Sequence, residues 1–185
     1  MSKKTIGDIC DILSGYAFDS KFFTDDPNDM PLIRIRDVAR GYTNTYTKEK
    51  FDPKYIVKKG DLLISMDGEF NIAQWKSGNA LLNQRVCKIW SKTDEVLDRY
   101  LLYFMPKALK KIEQATSFVT VKHLSVKSIK SIPISLPTID KQRKIVETLD
   151  ITSEMLALYK QQLDELNHLI KSVFYEKQHK NICVR

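Results

Sequence analysis

Two segments of the chain are rich in side chains that can bind a nucleic acid. The first runs from 67 to 85 and the second from 115 to 127, and both carry Lys, Asn, Gln, Ser, Thr or Arg on turn-rich sequence. Lys and Arg contact phosphates, and polar side chains on protruding elements contact base edges in the major groove. The candidate DNA-binding residues are Asn71, Gln74, Lys76, Asn83, Gln84, Arg85, Ser117, Thr120, Lys122 and His123.

A structural role is the alternative for some residues in and near these segments. Trp75 is expected to be partly buried in the core, and Asn83 and Gln84 could each serve only to satisfy backbone groups. Arg34 and Arg36 alternate with apolar residues on a predicted strand, so a plain solvent-facing surface is expected for them.

A metal-dependent endonuclease is the enzyme alternative, with Asp61, Asp67 and Glu69 as its carboxylates. Such sites place acids and a lysine on one strand-turn unit, but no lysine follows Glu69 two residues on, and Asp67-Gly68 is typical of a turn. The sequence has no P-loop, no G-x-G-x-x-G after a strand and no nucleophile elbow. We therefore predict no cofactor, no metal and no catalytic residue.

The charge balance favours a polyanionic partner. The net charge is +7, and seven basic residues lie between Arg99 and Lys130 against the one acid Glu113. A solvated basic face without a partner is the alternative. Three widely spaced cysteines predict free thiols in a reducing cytoplasm, and neither a signal peptide nor a membrane span is expected.

The candidate DNA-binding side chains must be positioned by a folded domain. For residues 1–137 we predict a domain of mixed α and β structure (α+β), with strands in the majority. Strand-like runs lie at 31–38, 61–66, 80–90 and 131–136, separated by Gly-containing turns. Residues 94–115 have helical spacing, which we expect to be interrupted or kinked near Pro106.

Residues 138–185 are predicted to form one long helix, about 60 Å in length if it continues to about Lys180. Thr138 can cap its start. Apolar residues recur at alternating spacings of four and three, as in a coiled coil, with Thr152 as the one polar member. The predicted interface residues are Ile145, Leu149, Leu156, Tyr159, Leu163, Leu166, Ile170 and Val173.

The helix stripe is broad, and charges are mostly missing from the flanking heptad positions. This pattern favours an antiparallel helix pair or a small bundle over a two-stranded parallel zipper. The alternative is that the helix folds back over its own domain. A scaffold protein whose coiled coil joins protein partners without any DNA role is a third functional class.

The order of elements resembles one target-recognition domain plus one spacer helix of the specificity subunit of type I restriction-modification enzymes. The matching segments are IGDICDILSGYAF (6–18), PLIRIRDVARG (31–41), VKKGDLLISMDG (57–68), LLNQRVCKI (81–89), SIPISLPTIDKQRKIVETLD (131–150) and QQLDELNHLIKSVF (161–174). The family usually has Glu-Gln where this chain has Lys141-Gln142, so the contact made by that glutamate is not expected here.

The resemblance implies a non-catalytic subunit that reads a split double-stranded DNA target. It implies methyltransferase subunits as partners, which use S-adenosylmethionine, and in some cases restriction subunits. Full-length members carry two recognition domains separated by two antiparallel helices, so this chain looks like half of such a subunit. Two copies pairing through the helix stripe would then rebuild the whole as a homodimer.

Overall fold

The computed structural model describes residues 4–115 and 122–182, and the side chains as far as Phe174. The strands are β1 (Lys4–Thr5), β2 (Cys10–Ser14), β3 (Phe23–Thr24), β4 (Met30–Ile33), β5 (Tyr46–Thr47), β6 (Ile56–Val57), β7 (Leu62–Ser65), β8 (Ile72–Gln74), β9 (Ala80–Leu82), β10 (Val86–Ser91) and β11 (Pro133–Ile134). The helices are α1 (Ile6–Ile9), α2 (Ile35–Arg40), α3 (Asp98–Ala115), α4 (Val126–Lys130) and α5 (Ile139–Ile182).

The strands form two larger sheets and one short ribbon. The first sheet has the order β2-β10-β7-β8 with antiparallel neighbours, and the second has the order β3-β5-β4-β9-β6. In the second sheet β4 and β9 run parallel, and β1 pairs with β11 in the ribbon. The predicted class, a strand-rich α+β domain followed by a long helix, is confirmed.

Strand β7 lies at the centre of the core because both of its faces are covered. Leu62 and Ile64 pack in one cluster with Met105 of α3, while Leu63 packs in a second cluster with Trp75. Side chains alternate between the two faces of a strand, so a strand buried on both faces needs a continuous apolar run. The sequence of β7 has this property, and Trp75 is more deeply buried than we expected.

The predicted strand at 31–38 is wrong after its first residues, because helix α2 replaces its second half. The carboxylate of Asp37 accepts a hydrogen bond from the backbone N–H of Arg34 at 2.9 Å, which closes the first turn of the helix. Gly41 ends the helix with a left-handed φ of 79°. These end signals override the alternating pattern, so Arg34 and Arg36 do not lie on a strand.

Two other predicted segments also differ in detail. The run 80–90 is not one strand, since the turn at 83–85 divides it into β9 and β10. Helix α3 continues through Pro106 and is not interrupted there. Met105 and Leu109 are fully buried on either side of the proline, so packing of this face holds the two halves of α3 in one helix.

The chain divides into two compact units, residues 1–143 and residues 144–185. The second unit is the greater part of α5, a helix of 44 residues and therefore about 66 Å long. All side chains from 151 to 174 are exposed, including eleven large apolar ones. None of the helices in the described ranges is long and apolar enough to cross a membrane.

The first turn of α5 is fastened to the domain by Gln142, which is fully buried. Its Oε1 accepts a hydrogen bond from the backbone N–H of Leu97 at 3.0 Å, and its Nε2 donates to the carbonyls of Glu95 at 2.8 Å and Pro137 at 2.9 Å. The backbone N–H of Gln142 donates to the carbonyl of Thr138 at 2.9 Å, the first hydrogen bond of the helix. One amide therefore satisfies three backbone groups.

Replacing Gln142 by Ala is expected to lower the free energy of unfolding of the domain by about 2–4 kcal/mol, because the backbone partners of the amide are left unsatisfied. Urea denaturation at fixed protein concentration measures the loss. Lys141→Ala is the matched control, since Lys141 is the exposed neighbour on the same turn, and a change below about 0.5 kcal/mol is expected. Equal losses in the two variants would contradict the role of Gln142.

Candidate nucleic-acid interface

The candidate residues Asn83, Gln84 and Arg85 form a rigid turn between β9 and β10. The backbone N–H of Gln84 donates to the carbonyl of Tyr16 at 2.7 Å, and that of Met66 donates to the carbonyl of Arg85 at 2.8 Å. The side-chain oxygen of Asn83 also accepts from the N–H of Gln84, at 2.8 Å. Arg85 has a left-handed φ of 71°, which costs energy for a side chain of this size and persists because neighbouring segments fix the turn.

The segment that follows β2 supports this turn through a close approach of two backbones. The N–H of Gly15 donates to the carbonyl of Val86, and that of Tyr16 donates to the carbonyl of Leu82, each at 2.9 Å. A Cβ at Gly15 would lie 2.1 Å from the carbonyl oxygen of Asn83, so only glycine fits. Gly15 is thus required for the position of the turn.

A buried carboxylate, that of Asp67, holds the side chains of two candidates, Arg85 of this turn and His123 of the second candidate segment. Asp67 accepts a hydrogen bond from Nη1 of Arg85 and contacts Nδ1 of His123 at 2.6 Å. The Asp67 side chain is 9% exposed, whereas those of Arg85 and His123 are 54% and 58% exposed. Burial alone would raise the pKa of Asp67, but the hydrogen bonds from His123 and Arg85 outweigh it and lower the pKa below its usual value. The carboxylate stays charged at neutral pH and orients both partners.

Beside the turn lies a cleft of about 550 Å³, which we call the arginine cleft. It brings Arg34 and Arg36, the two residues at the start of α2, to the same place as Arg85. Its lining residues are Phe18, Ser20, Phe23, Arg34, Ile35, Arg36, Asn83, Gln84 and Arg85. Three guanidinium groups and the exposed amide of Gln84 can together bind phosphate oxygens and base edges, whereas Asn83 is buried and its side-chain oxygen is used within the turn.

The candidates Asn71, Gln74 and Lys76 are divided between the two ends of strand β8. The register places Ile72 opposite Ile64 near the end of β7, and Gln74 opposite Leu62 at its beginning. Asn71 is therefore at the same end of the sheet as Arg85, whereas Gln74 and Lys76 are at the other end.

Gln74 and Lys76 also have structural contacts at their end of the sheet. The side-chain amide of Gln74 donates to the carbonyl of Gly60 at 3.1 Å and accepts from Nη1 of Arg99 at 3.0 Å. The aliphatic part of Lys76 lies against Gly41, where a Cβ would be only 2.9 Å from it. Gln74 thus uses both polar ends of its amide within the domain.

Lys122 lies next to His123, at the described start of the second candidate segment. Its Nζ donates to the carboxylate of Glu113 at 3.2 Å, and Lys110 lies 3.5 Å from the same carboxylate. The hydrogen bond from Lys122 lowers the pKa of Glu113. Ser117 and Thr120, the other two candidates in this segment, lie outside the described residues.

The three carboxylates of the endonuclease alternative do not converge. Asp61 precedes β7, where it accepts from the backbone N–H of Lys58 and from Nζ of Lys88, both at 2.8 Å. Asp67 follows β7 and is paired with Arg85, a cation that competes with a metal for the same oxygen. Within residues 4–115 and 122–182 no group of three or more His, Cys, Asp or Glu is placed to hold a metal ion.

Sequence reasoning missed three contributors to this site. Arg34 and Arg36 were assigned to a plain strand, although Asp37 and Gly41 are the start and stop signals of a helix that places both arginines in the cleft. The sequence predicts Asp67 as a turn residue, or as a carboxylate of the endonuclease alternative, and its partners are 18 and 56 positions away in sequence. Nothing in the local pattern could have identified that pairing.

A family model for the type I restriction modification DNA specificity domain matches residues 1–168. The chain belongs to this family.

Two specificity subunits are similar to this chain in sequence. The EcoBI specificity subunit of Escherichia coli is 39% identical over 163 residues, which cover 88% of this chain and 34% of that protein. A putative specificity subunit of Haemophilus influenzae is 29% identical over 128 residues, covering 66% of this chain and 32% of that protein. The chain thus spans about one third of the length of these specificity subunits.

Solved structures share the fold of this specificity domain. A chain from a structure on complex assembly and conformational transition of the type I R-M system has a TM-score of 0.70 at 22% identity, covering 93% of this chain and 43% of that one. The HsdS subunit of Thermoanaerobacter tengcongensis has a TM-score of 0.67 at 20% identity, covering 86% and 39%. At these identities the similarity establishes the architecture and not the residues that contact a target.

Gly15→Ala is expected to destabilise the domain by about 2–3 kcal/mol, because the new methyl group forces the backbone of the 83–85 turn away. Thermal and urea denaturation measure the loss. Gly78→Ala is the control, since a Cβ there meets no atom within 4 Å, and a change below about 0.5 kcal/mol is expected. A Gly15→Ala variant as stable as the wild type would show that the turn is not fixed by this approach.

Proposed function

We propose that this chain is a sequence-specific DNA recognition module of a type I restriction-modification system. The observation that carries the proposal is the arginine cleft beside the rigid 83–85 turn, in a chain of the specificity-domain family. Sequence is read by side chains that reach base edges from fixed elements, whereas phosphate contacts set affinity and register. The cleft and turn offer side chains of both types in one place.

The module itself performs no chemistry in this proposal. Asp61 and Asp67 lie at opposite ends of β7 and are bound to Lys88 and Arg85, which argues against a shared metal-binding centre. The chain instead directs methyltransferase subunits, and in some assemblies restriction subunits, to the DNA site. Residues 1–137 serve as the recognition domain and residues 138–185 as the spacer helix.

The long helix suggests that the module acts in pairs. Apolar side chains from Leu156 to Val173 recur along one face of α5 and are 45–65% exposed. An isolated helix with such a stripe is stabilised by a partner surface. We propose a second copy of this chain as that partner, joined by an isologous contact between the two stripes.

A pair of modules would contact a bipartite target. A helix of about 66 Å corresponds to about 19 base pairs at 3.4 Å each, which limits the separation of the two contacted segments to one or two turns of the duplex. If the two copies are identical, the preferred target is an interrupted palindrome. A metal-dependent nuclease is less well supported, because Asp67 is paired with Arg85 and Asp61 with Lys88. A scaffold without a DNA role is less well supported because it leaves the arginine cleft without a purpose.

Selection from a randomised duplex DNA pool tests the recognition proposal. We expect the full chain to enrich a defined sequence, and its affinity to fall with salt by a log–log slope of roughly 0.9 for each phosphate contacted. Incubation with magnesium is expected to leave the selected DNA uncut. Binding that enriches no sequence and does not weaken with salt would rule the proposal out.

Leu163→Glu tests the paired helices. A charge in the middle of the apolar stripe costs several kcal/mol when buried without a partner, so dimer affinity is expected to fall at least a hundredfold. Sedimentation or light scattering at micromolar concentration measures the change. Ala157→Glu is the control, because it adds the same charge at an exposed position outside the stripe. A wild-type chain that is monomeric at this concentration would contradict the homodimer.

A further inference from the structure

The charged side chains described in the lining of the arginine cleft are all positive. No Asp or Glu is found among the described residues that line it, while Arg34, Arg36 and Arg85 all contribute cations. A cleft lined by charges of one sign concentrates the field and attracts a ligand of opposite charge. Duplex DNA is the polyanion that fits, because the same lining also carries the exposed side chain of Gln84, whose amide can bind base edges and not only phosphates.

Arg85 differs from the other two arginines in how it is held. Its backbone is fixed in a left-handed turn, and its guanidinium is bound by a carboxylate that is itself buried. Among the described residues Asp67 is the acceptor that this guanidinium contacts, through Nη1. A guanidinium has five N–H donors, so donors remain for a ligand on the exposed side. A preorganised guanidinium loses little side-chain entropy when it binds.

Arg34 and Arg36 are held more loosely. Both are exposed at the start of α2, and Nε of Arg36 lies 4.0 Å from the carboxylate of Asp37, too far for a hydrogen bond. Exposed cations suit phosphate oxygens, which lie at regular intervals along the duplex and accept contacts in many geometries. The cleft therefore contains one fixed arginine and two adaptable ones.

We propose that Arg85 reads a guanine in the major groove of the target, positioned by Asp67, while Arg34 and Arg36 bind the adjacent phosphates. An arginine donates two hydrogen bonds to O6 and N7 of guanine, a pattern that no other base presents in the major groove. This inference rests on the proposed DNA recognition function and assigns one base contact within it. It also assigns a DNA-binding role to Arg34 and Arg36, for which the alternating sequence pattern predicts only a solvent-facing strand.

Selection from a randomised duplex pool with variants of the full chain tests the inference. Arg85→Lys keeps the charge but loses the paired donors, so preference for guanine at one position should fall roughly 5- to 150-fold while the other positions are unchanged. Asp67→Asn should weaken the same preference without altering other positions. Melting temperatures of both variants separate this effect from unfolding, and Arg85→Ala provides a second variant at the site.

The double variant Arg34→Ala, Arg36→Ala should behave differently. It should weaken binding to all sequences equally and reduce the log–log salt slope by roughly 1.8 for two lost phosphate contacts. Arg40→Ala is the matched control, since Arg40 is an exposed arginine of α2 that does not line the cleft. That variant should keep both the selected sequence and the slope.

The outcomes distinguish this inference from the function on which it rests. A wild-type chain that enriches no sequence overturns both. The base contact alone is overturned by a different result. In that case the wild type enriches a sequence, and the folded Arg85→Lys and Arg85→Ala variants enrich the same sequence with the same guanine preference. An unchanged salt slope in the double variant overturns the phosphate contacts of Arg34 and Arg36.

Discussion

The close approach of two backbones at Gly15 and Asn83 is the constraint on which the candidate interface depends. Strand β2 belongs to one sheet and β9 to the other, and their ends meet through hydrogen bonds between the Gly15–Tyr16 segment and residues 82–86. The junction fixes the backbone of Arg85, and Asp67 then fixes its side chain. The position of the Arg85 guanidinium thus depends on Gly15, through the turn that Gly15 allows to approach.

The sequence predicted those parts of the fold that are encoded locally. Alternating or continuous apolar runs correctly predicted β7 and the strand-rich class, and the spacing of four and three predicted a long helix where α5 is found. Helix α2 was missed because the alternating run 31–38 overlaps the helix signals at Asp37 and Gly41, and those signals determine the structure. Contacts between distant segments, such as Asp67 with His123, leave no local pattern to detect.

Net charge in a segment is also a poor measure of the charge available to a ligand. The basic stretch from Arg99 to Lys130 suggested a DNA surface, yet Lys122 is paired with Glu113, and Arg99 is bound to Gln74. The cations that line a cleft without Asp or Glu among its described residues come instead from the start of α2 and the 83–85 turn, which are about 50 residues apart in sequence. Only the fold brings them together, so composition could indicate the class of partner but not the place of contact.

The amide of Gln142 has a consequence for how this chain can change over evolutionary time. Its three hydrogen bonds all go to main-chain groups, those of Glu95, Leu97 and Pro137, and none goes to a side chain. Most substitutions keep the main-chain N–H and C=O groups. The side chains of the loops at the start of α5 can therefore change while these hydrogen bonds to Gln142 remain. The three hydrogen bonds are therefore more sensitive to replacement of Gln142 than to replacement of the side chains at Glu95 and Leu97.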